Sequence, residues 1–193
     1  MIHGQYRRRD IIAARERAKA AYPNLPREQL PSLCKSKRVG DRLFALEYMQ
    51  WLIEKEGPDL ELFRLAERMI PDPSNNCRWH AVITVGEMIL TYPDRIWRII
   101  KRYGVNRDED MRVCIGVCLL EHLLELDWPK WSREVRLMVR RSRFFADTLN
   151  CCWSILKLPW DRRPRSYYFQ VKGGQIYVKP MGRGYLGAKW RRV

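Results

Sequence analysis

The chain has 193 residues, 46% of them hydrophobic, and carries 37 Lys and Arg against 22 Asp and Glu, a net charge of +15. That length suits one domain with its own core, and the apolar content excludes a disordered polyelectrolyte despite the charge. No run of about 18 apolar residues exists, so no membrane helix and no membrane partner are expected.

The N-terminus reads Arg7, Arg8 and Arg9, then Asp10-Ile11-Ile12, with no apolar leader. The expected location is cytoplasmic or nucleoid-associated, in a reducing intracellular compartment. Residues 11–21 have high helix propensity and end at Tyr22-Pro23. Residues 23–40 hold Pro23, Pro26 and Pro31 together with Lys35, Lys37 and Arg38, and read as an irregular basic connector.

From Asp41 the pattern becomes regular. Residues 41–56 predict a helix with Leu43, Leu46, Met49 and Ile53 on one stripe, ended by Gly57-Pro58. A second, 59–70, aligns Leu62, Phe63, Ala66, Met69 and Ile70. A third, 77–91, places Val82, Val85, Gly86, Ile89 and Leu90 on one inward face. Pro93-Asp94 opens a fourth with Ile96, Ile99, Ile100 and Tyr103 on its core face, closed by Gly104. The fifth, 110–126, is apolar on nearly every side, as expected of a helix covered by neighbours. Helices over 130–141 and 144–157 follow.

These segments repeat. A shift of 34 positions superposes Arg78 on Arg112, Glu87 on Glu121, Leu90 on Leu124, Trp97 on Trp131 and Arg102 on Arg136. A shift near 36 brings Arg42 onto Arg78 and Ala45 onto Ala81. Two helices per period of this length is the pattern of an α-solenoid, whose hairpins bury their apolar faces only by stacking. Asp108, Asp110 and Arg112 ahead of Val113 and a Leu-rich helix, with Pro93-Asp94 at the start of the preceding one, resemble HEAT (armadillo-type) repeats. The resemblance covers residues 41–157 and implies an all-α fold, an α-solenoid of HEAT-like hairpins. It says little about function, because this architecture serves many activities.

Beyond Pro159 the character changes. Trp160–Arg165 is a basic turn. Tyr167–Val171 and Gln175–Lys179 flank Lys172-Gly173-Gly174 and predict a short β-hairpin, and the remainder is a basic, Gly-rich tail. The expected organisation is a basic N-terminal helix and connector (1–40), the repeat domain (41–157) and a basic aromatic hairpin and tail (158–193).

Charge is segregated in the same way: residues 1–42 carry +7, residues 43–128 carry −5, and residues 129–193 carry +13. Basic ends around an acidic middle attract polyanions, of which nucleic acid, DNA or RNA, is the commonest. The candidate contacts are Arg7, Arg8, Arg9, Lys35, Lys37 and Arg38 at one end. At the other are Arg140, Arg141, Arg143, Arg162, Arg163, Arg165, Lys172, Lys179, Arg183, Lys189, Arg191 and Arg192. Tyr167, Tyr168, Tyr177, Tyr185 and Trp190 are interleaved with them, suited to stacking on exposed bases. The competing reading of the same residues is a solvated tail, or a contact with an acidic protein.

No catalytic, cofactor or metal-binding pattern is present. His3, His80 and His122 are scattered, and the six cysteines lack a paired spacing and read as reduced, mostly buried thiols. Glu87 and Glu121 are read as ion-pairing groups, with acid–base chemistry or a cation as the competing use. Arg78 and Arg112 are read as a structural ladder to acids such as Asp108 and Asp110. Trp97 and Trp131 are read as packing between repeats. The expected function is a nucleic-acid-binding accessory or scaffold subunit of a nucleoprotein complex. The alternatives are a protein–protein adaptor working through the solenoid surface and a HEAT-like alkylpurine DNA glycosylase.

Overall fold

The computed structural model describes residues 8–152, 167–172, 175–180 and 191–192. These are mainly helical, and the chain divides into two compact units, Met1–Tyr92 and Pro93–Val193.

In the first unit α1 (Arg8–Ala21) is followed by a 3-10 turn (Arg27–Gln29) and α2 (Leu30–Cys34). The stretch expected to be an irregular connector is therefore partly helical. Pro31 falls in the first turn of α2, where a missing N–H costs no hydrogen bond, and Leu30 is fully buried. The central element is α3 (Val39–Glu56), on which α1, α2 and α5 pack. The expected stripe of Leu43, Leu46, Met49 and Ile53 is buried, but so are the polar residues Arg42 and Glu47. A helix covered on several sides has no dry face to spare, so its charged side chains need partners. Gly57, with φ of 94°, ends α3 in a backbone conformation that side chains resist. Asp59 then caps α4 (Leu60–Met69), accepting from the backbone N–H groups of Glu61 and Leu62.

The next helix, α5 (Asn75–Gly86), stops several residues before the expected end. After it, Met88 N–H donates to Val85 and Ile89 N–H to Gly86, a tighter winding that advances each side chain further round the axis. Met88 consequently takes the core position, and Leu90, expected inside, is 76% exposed.

The second unit begins with α6 (Pro93–Tyr103), which buries Ile96, Ile99, Ile100 and Tyr103 as its period requires. The segment expected as one α-helix is α7 (Glu109–Ile115), a π-helical stretch (Gly116–Leu120) and α8 (Glu121–Leu126). Gly116 sits where a Cβ would come within 2.6 Å of the Thr148 carbonyl oxygen, so only glycine admits this approach. Asp127 caps α9 (Trp128–Arg141) and Ser142 caps α10 (Arg143–Asn150). The core of this unit is aromatic. Trp97 and Trp131 lie 5.5 Å apart between ring centroids, and Phe145 meets Trp97 edge-on at 6.2 Å. The buried Thr148 hydroxyl donates to the Gly104 carbonyl at 2.6 Å.

Strands β1 (Tyr167–Lys172), β2 (Gln175–Pro180) and β3 (Arg191–Arg192) pair antiparallel in that order, with Tyr168 opposite Lys179 and Tyr177 opposite both Gln170 and Arg192. The expected turn at Gly173 and Gly174 lies outside the described residues, as do the basic turn and most of the tail.

One device recurs in both units. Arg42 donates through Nη1 to the carbonyls of Ser36 and Lys37, and clasps Asp72 through Nε at 2.8 Å and Nη2 at 3.0 Å. Arg112 donates through Nη1 to the carbonyls of Asn106 and Arg107, both at 2.9 Å, and lies 3.9 Å from Asp147. In each case an arginine in the first turns of a helix ties down the loop leading into it, using carbonyls five and six residues back. The two Asp72 hydrogen bonds also push the Arg42 guanidinium above its already high range. Replacing Asp72 with Asn is expected to cost about 3 kcal/mol in urea unfolding, because a buried cation loses its counter-charge. Asp147→Asn, at a half-exposed carboxylate and a longer distance, is expected to cost under about 1 kcal/mol. Equal costs would show that the Arg42–Asp72 clasp carries no special weight. Gly116→Ala is expected to destabilise the chain by about 1–3 kcal/mol through overpacking.

Candidate functional site

The residues expected to meet phosphate fall in three groups. Arg9 on α1 is exposed, as are Lys35, Lys37 and Arg38 between α2 and α3. Arg140, Arg141 and Arg143 are exposed around the α9–α10 junction of the second unit. There a single capped residue, Ser142, turns the chain between two helices and keeps the three guanidinium-bearing positions close in sequence. Arg143 also lies 4.9 Å from the Phe144 ring centroid, and Arg112 lies 5.1 Å from that centroid, so the ring binds two cations. Lys172, Lys179, Tyr167, Tyr168, Tyr177, Arg191 and Arg192 lie on the strands. The register puts Tyr168, Lys172, Tyr177 and Lys179 on one alternation of the ladder. Arg7, Arg162, Arg163, Arg165, Arg183, Tyr185, Lys189 and Trp190 lie outside the described residues. Arg8 begins α1.

Other polar candidates separate on burial. Glu87 is exposed at the end of α5, whereas Glu121 is buried in the second unit. Trp97 and Trp131, the repeated tryptophans, are buried against each other and offer no open ring to a ligand. His122 is exposed, 3.3 Å from Glu125.

The charged centre that periodicity does not reveal is in the first unit. Glu47, on α3, is 1% exposed, with Arg15 Nε of α1 at 3.3 Å and His80 Nδ1 of α5 at 3.0 Å. Three helices thus converge on one carboxylate. Beside it the Thr84 hydroxyl donates to the His80 carbonyl at 2.7 Å. With its proton so used, Thr84 Oγ1 accepts from the Gln50 amide nitrogen at 3.1 Å. Glu47 sits in the middle of a buried run, and its partner His80 is far away in sequence, so only the packing of α3 on α5 unites them.

The six cysteines are free. Burial pushes the Cys34 thiol up to about 11 and raises Cys77, Cys151 and Cys152 as well. Cys118 moves the other way. A hydrogen bond from the Cys114 thiol, one turn earlier, favours its thiolate against both burial and the Glu121 carboxylate. No group of three or more His, Cys, Asp or Glu side chains is placed to hold a metal among the described residues.

Labelling of the folded protein with a disulfide reagent near pH 8 is expected to reach Cys118 ahead of Cys34, Cys77 and Cys151, whose thiols burial pushes up, and Cys152 only on unfolding. Peptide mapping that found Cys34 or Cys151 modified ahead of Cys118 would contradict this order. No known protein family, curated protein or solved structure matches the chain.

Proposed function

We propose that this protein is a nucleic-acid-binding accessory or scaffold subunit of a nucleoprotein complex, contacting phosphates through its basic ends. The observation that carries this reading is the charge segregation, +7 and +13 at the ends around −5 in the middle. Exposure of Arg140, Arg141 and Arg143 supports it, because guanidinium groups at a helix junction are free to meet a phosphate backbone. Tyr168 and Tyr177, interleaved in the sequence with Lys172 and Lys179, are residue types suited to unstacked bases. Such a protein would act in the cytoplasm or at the nucleoid.

In this reading the helices form a solenoid of HEAT-like hairpins, followed by the C-terminal β-hairpin. The recurring Arg42 and Arg112 devices favour a repeat, since the same side chain performs the same task at equivalent points. A second reading, a protein–protein adaptor, is favoured by the acidic middle, −5 over residues 43–128, which offers a basic partner a complementary surface.

Titration with single- and double-stranded DNA and RNA at several salt concentrations separates the two readings. Binding is expected to fall steeply with salt. Replacing Arg140, Arg141 and Arg143 together with Ala is expected to reduce the magnitude of the log–log slope by about 2–3. Absence of binding at low salt would exclude nucleic acid and leave the adaptor.

A further inference from the structure

Residues 43–128 are acidic as a whole, but one helix among them is not. In α6 the cations Arg95, Arg98, Lys101 and Arg102 stand against Asp94 alone. Arg98, Lys101 and Arg102 are exposed, opposite the buried Ile96, Ile99, Ile100 and Tyr103. The second unit repeats this make-up in α9, where Lys130, Arg133, Arg136, Arg140 and Arg141 stand against Glu134 alone. Arg133 and Arg140, seven positions apart, are exposed opposite the buried Trp128, Trp131, Val135 and Val139.

The two helices belong to one unit and lie side by side. Trp97 meets Trp131 with 5.5 Å between ring centroids, and Lys130 Nζ is 2.9 Å from an Asp94 carboxylate oxygen. Both helices turn their apolar stripes onto the same helical run, α6 onto α7 and the π-helical stretch and α9 onto α8. Their cationic stripes consequently open on one side. The Asp94–Lys130 pair leaves Glu134 as the remaining carboxylate of the two helices. Among the described residues no carboxylate pairs with Arg98, Lys101, Arg102, Arg133 or Arg140. Like charges at helical spacing repel one another, so a face that gathers them is completed by an anion.

The composition of the face narrows that anion. Tyr103 and Trp131 lie beneath Arg102 at 5.2 Å and Lys130 at 4.3 Å, but both rings are buried and offer no open surface to an unpaired base. Among the described residues these two helices expose no hydroxyl or amide side chain, the neutral groups suited to a ribose 2′-hydroxyl. Seven residues of helix run for about 10 Å, and packed helices stand about 8–10 Å apart. A patch of that size meets about three successive phosphates on each strand of a duplex.

We propose that the paired faces of α6 and α9 bind the phosphate backbone of double-stranded DNA, without regard to base sequence. The site deepens the nucleic-acid reading and rests on it, adding a helix of the acidic middle to a contact surface otherwise drawn from the basic ends.

The test uses the full chain, a short mixed-sequence DNA duplex, the RNA duplex of the same sequence and single-stranded DNA, titrated at several salt concentrations. Arg98→Gln with Arg102→Gln removes two exposed charges from α6. Arg64→Gln with Arg68→Gln removes two from exposed positions of α4 at the same spacing, and controls for net charge. The α6 pair is expected to weaken the DNA duplex about tenfold or more and to lower the magnitude of the log–log salt slope by about 2. The α4 pair is expected to leave duplex affinity within about threefold. Single-stranded DNA, held through the ends, is expected to lose less than about threefold in the α6 pair. Arg133→Gln on α9 is expected to weaken the duplex about threefold and to lower the slope by about 1, and serves as the second variant if the α6 pair melts early. The RNA duplex is expected to bind at least about threefold more weakly than DNA.

Equal losses in the α6 and α4 pairs, or no loss in either, overturn the proposal and leave phosphate binding by the ends intact. An RNA duplex that binds more tightly than the DNA duplex overturns it as well. Absence of binding by every nucleic acid at low salt defeats the nucleic-acid reading itself, and this face with it.

Discussion

A buried arginine that grips the loop ahead of its own helix is the constraint on which each unit depends. Backbone carbonyls in a loop leading into a packed helix lose water on folding and need donors. Arg42 supplies them to Ser36 and Lys37, and Arg112 supplies them to Asn106 and Arg107. A lysine would serve poorly, because only a planar fork reaches two carbonyls and a carboxylate at once. The Asp72 clasp then neutralises the charge that Arg42 brings inside. With its entrance fixed in this way, α3 carries Glu47 to Arg15 of α1 and His80 of α5.

Both units bury charged side chains, Arg112 and Glu121 among them in the second, but what surrounds them differs. The first buries charge, bringing Arg15 and His80 to Glu47 and linking Gln50, Thr84 and the His80 backbone in a chain of hydrogen bonds. These contacts tie α1, α3 and α5 to one mutual arrangement. The second unit relies on large rings, Trp97, Trp131 and Phe145, and on close backbone approach at Gly116. Two of its exposed arginines lie against rings, Arg102 over Tyr103 and Arg143 over Phe144.

Helix positions were largely readable from the sequence because they are set by short-range chemistry. Asp59, Asp127 and Ser142 each stand one residue before a helix and cap it, and Gly57 closes one. The stripe Leu43, Leu46, Met49 and Ile53 is buried as its spacing implies. What periodicity could not convey is where a helix stops winding evenly. Leu90 keeps helical spacing with Val82 and Val85 on paper, yet the tight turn after Gly86 rotates it outward. The short α2 was hidden by its prolines, although Pro31 at the helix start is compatible with a first turn. The Glu47–His80 pair was invisible for another reason, since nothing local distinguishes a buried glutamate from a solvated one until its partner helix is placed. Of the phosphate-binding candidates, the sequence gives their clustering, and their mutual geometry is a matter of long-range contacts.

The π-helical stretch at Gly116–Leu120 has a consequence for how this chain tolerates change in length. A π turn holds one residue more than an α turn. With that winding Leu123 and Leu124 are buried. The added residue is absorbed within the turn, so removing it would let the stretch wind as an α-helix and leave the Leu123–Leu124 face directed inward. In evolutionary terms the segment behaves as an accommodated insertion, with Gly116 as the residue small enough to admit it.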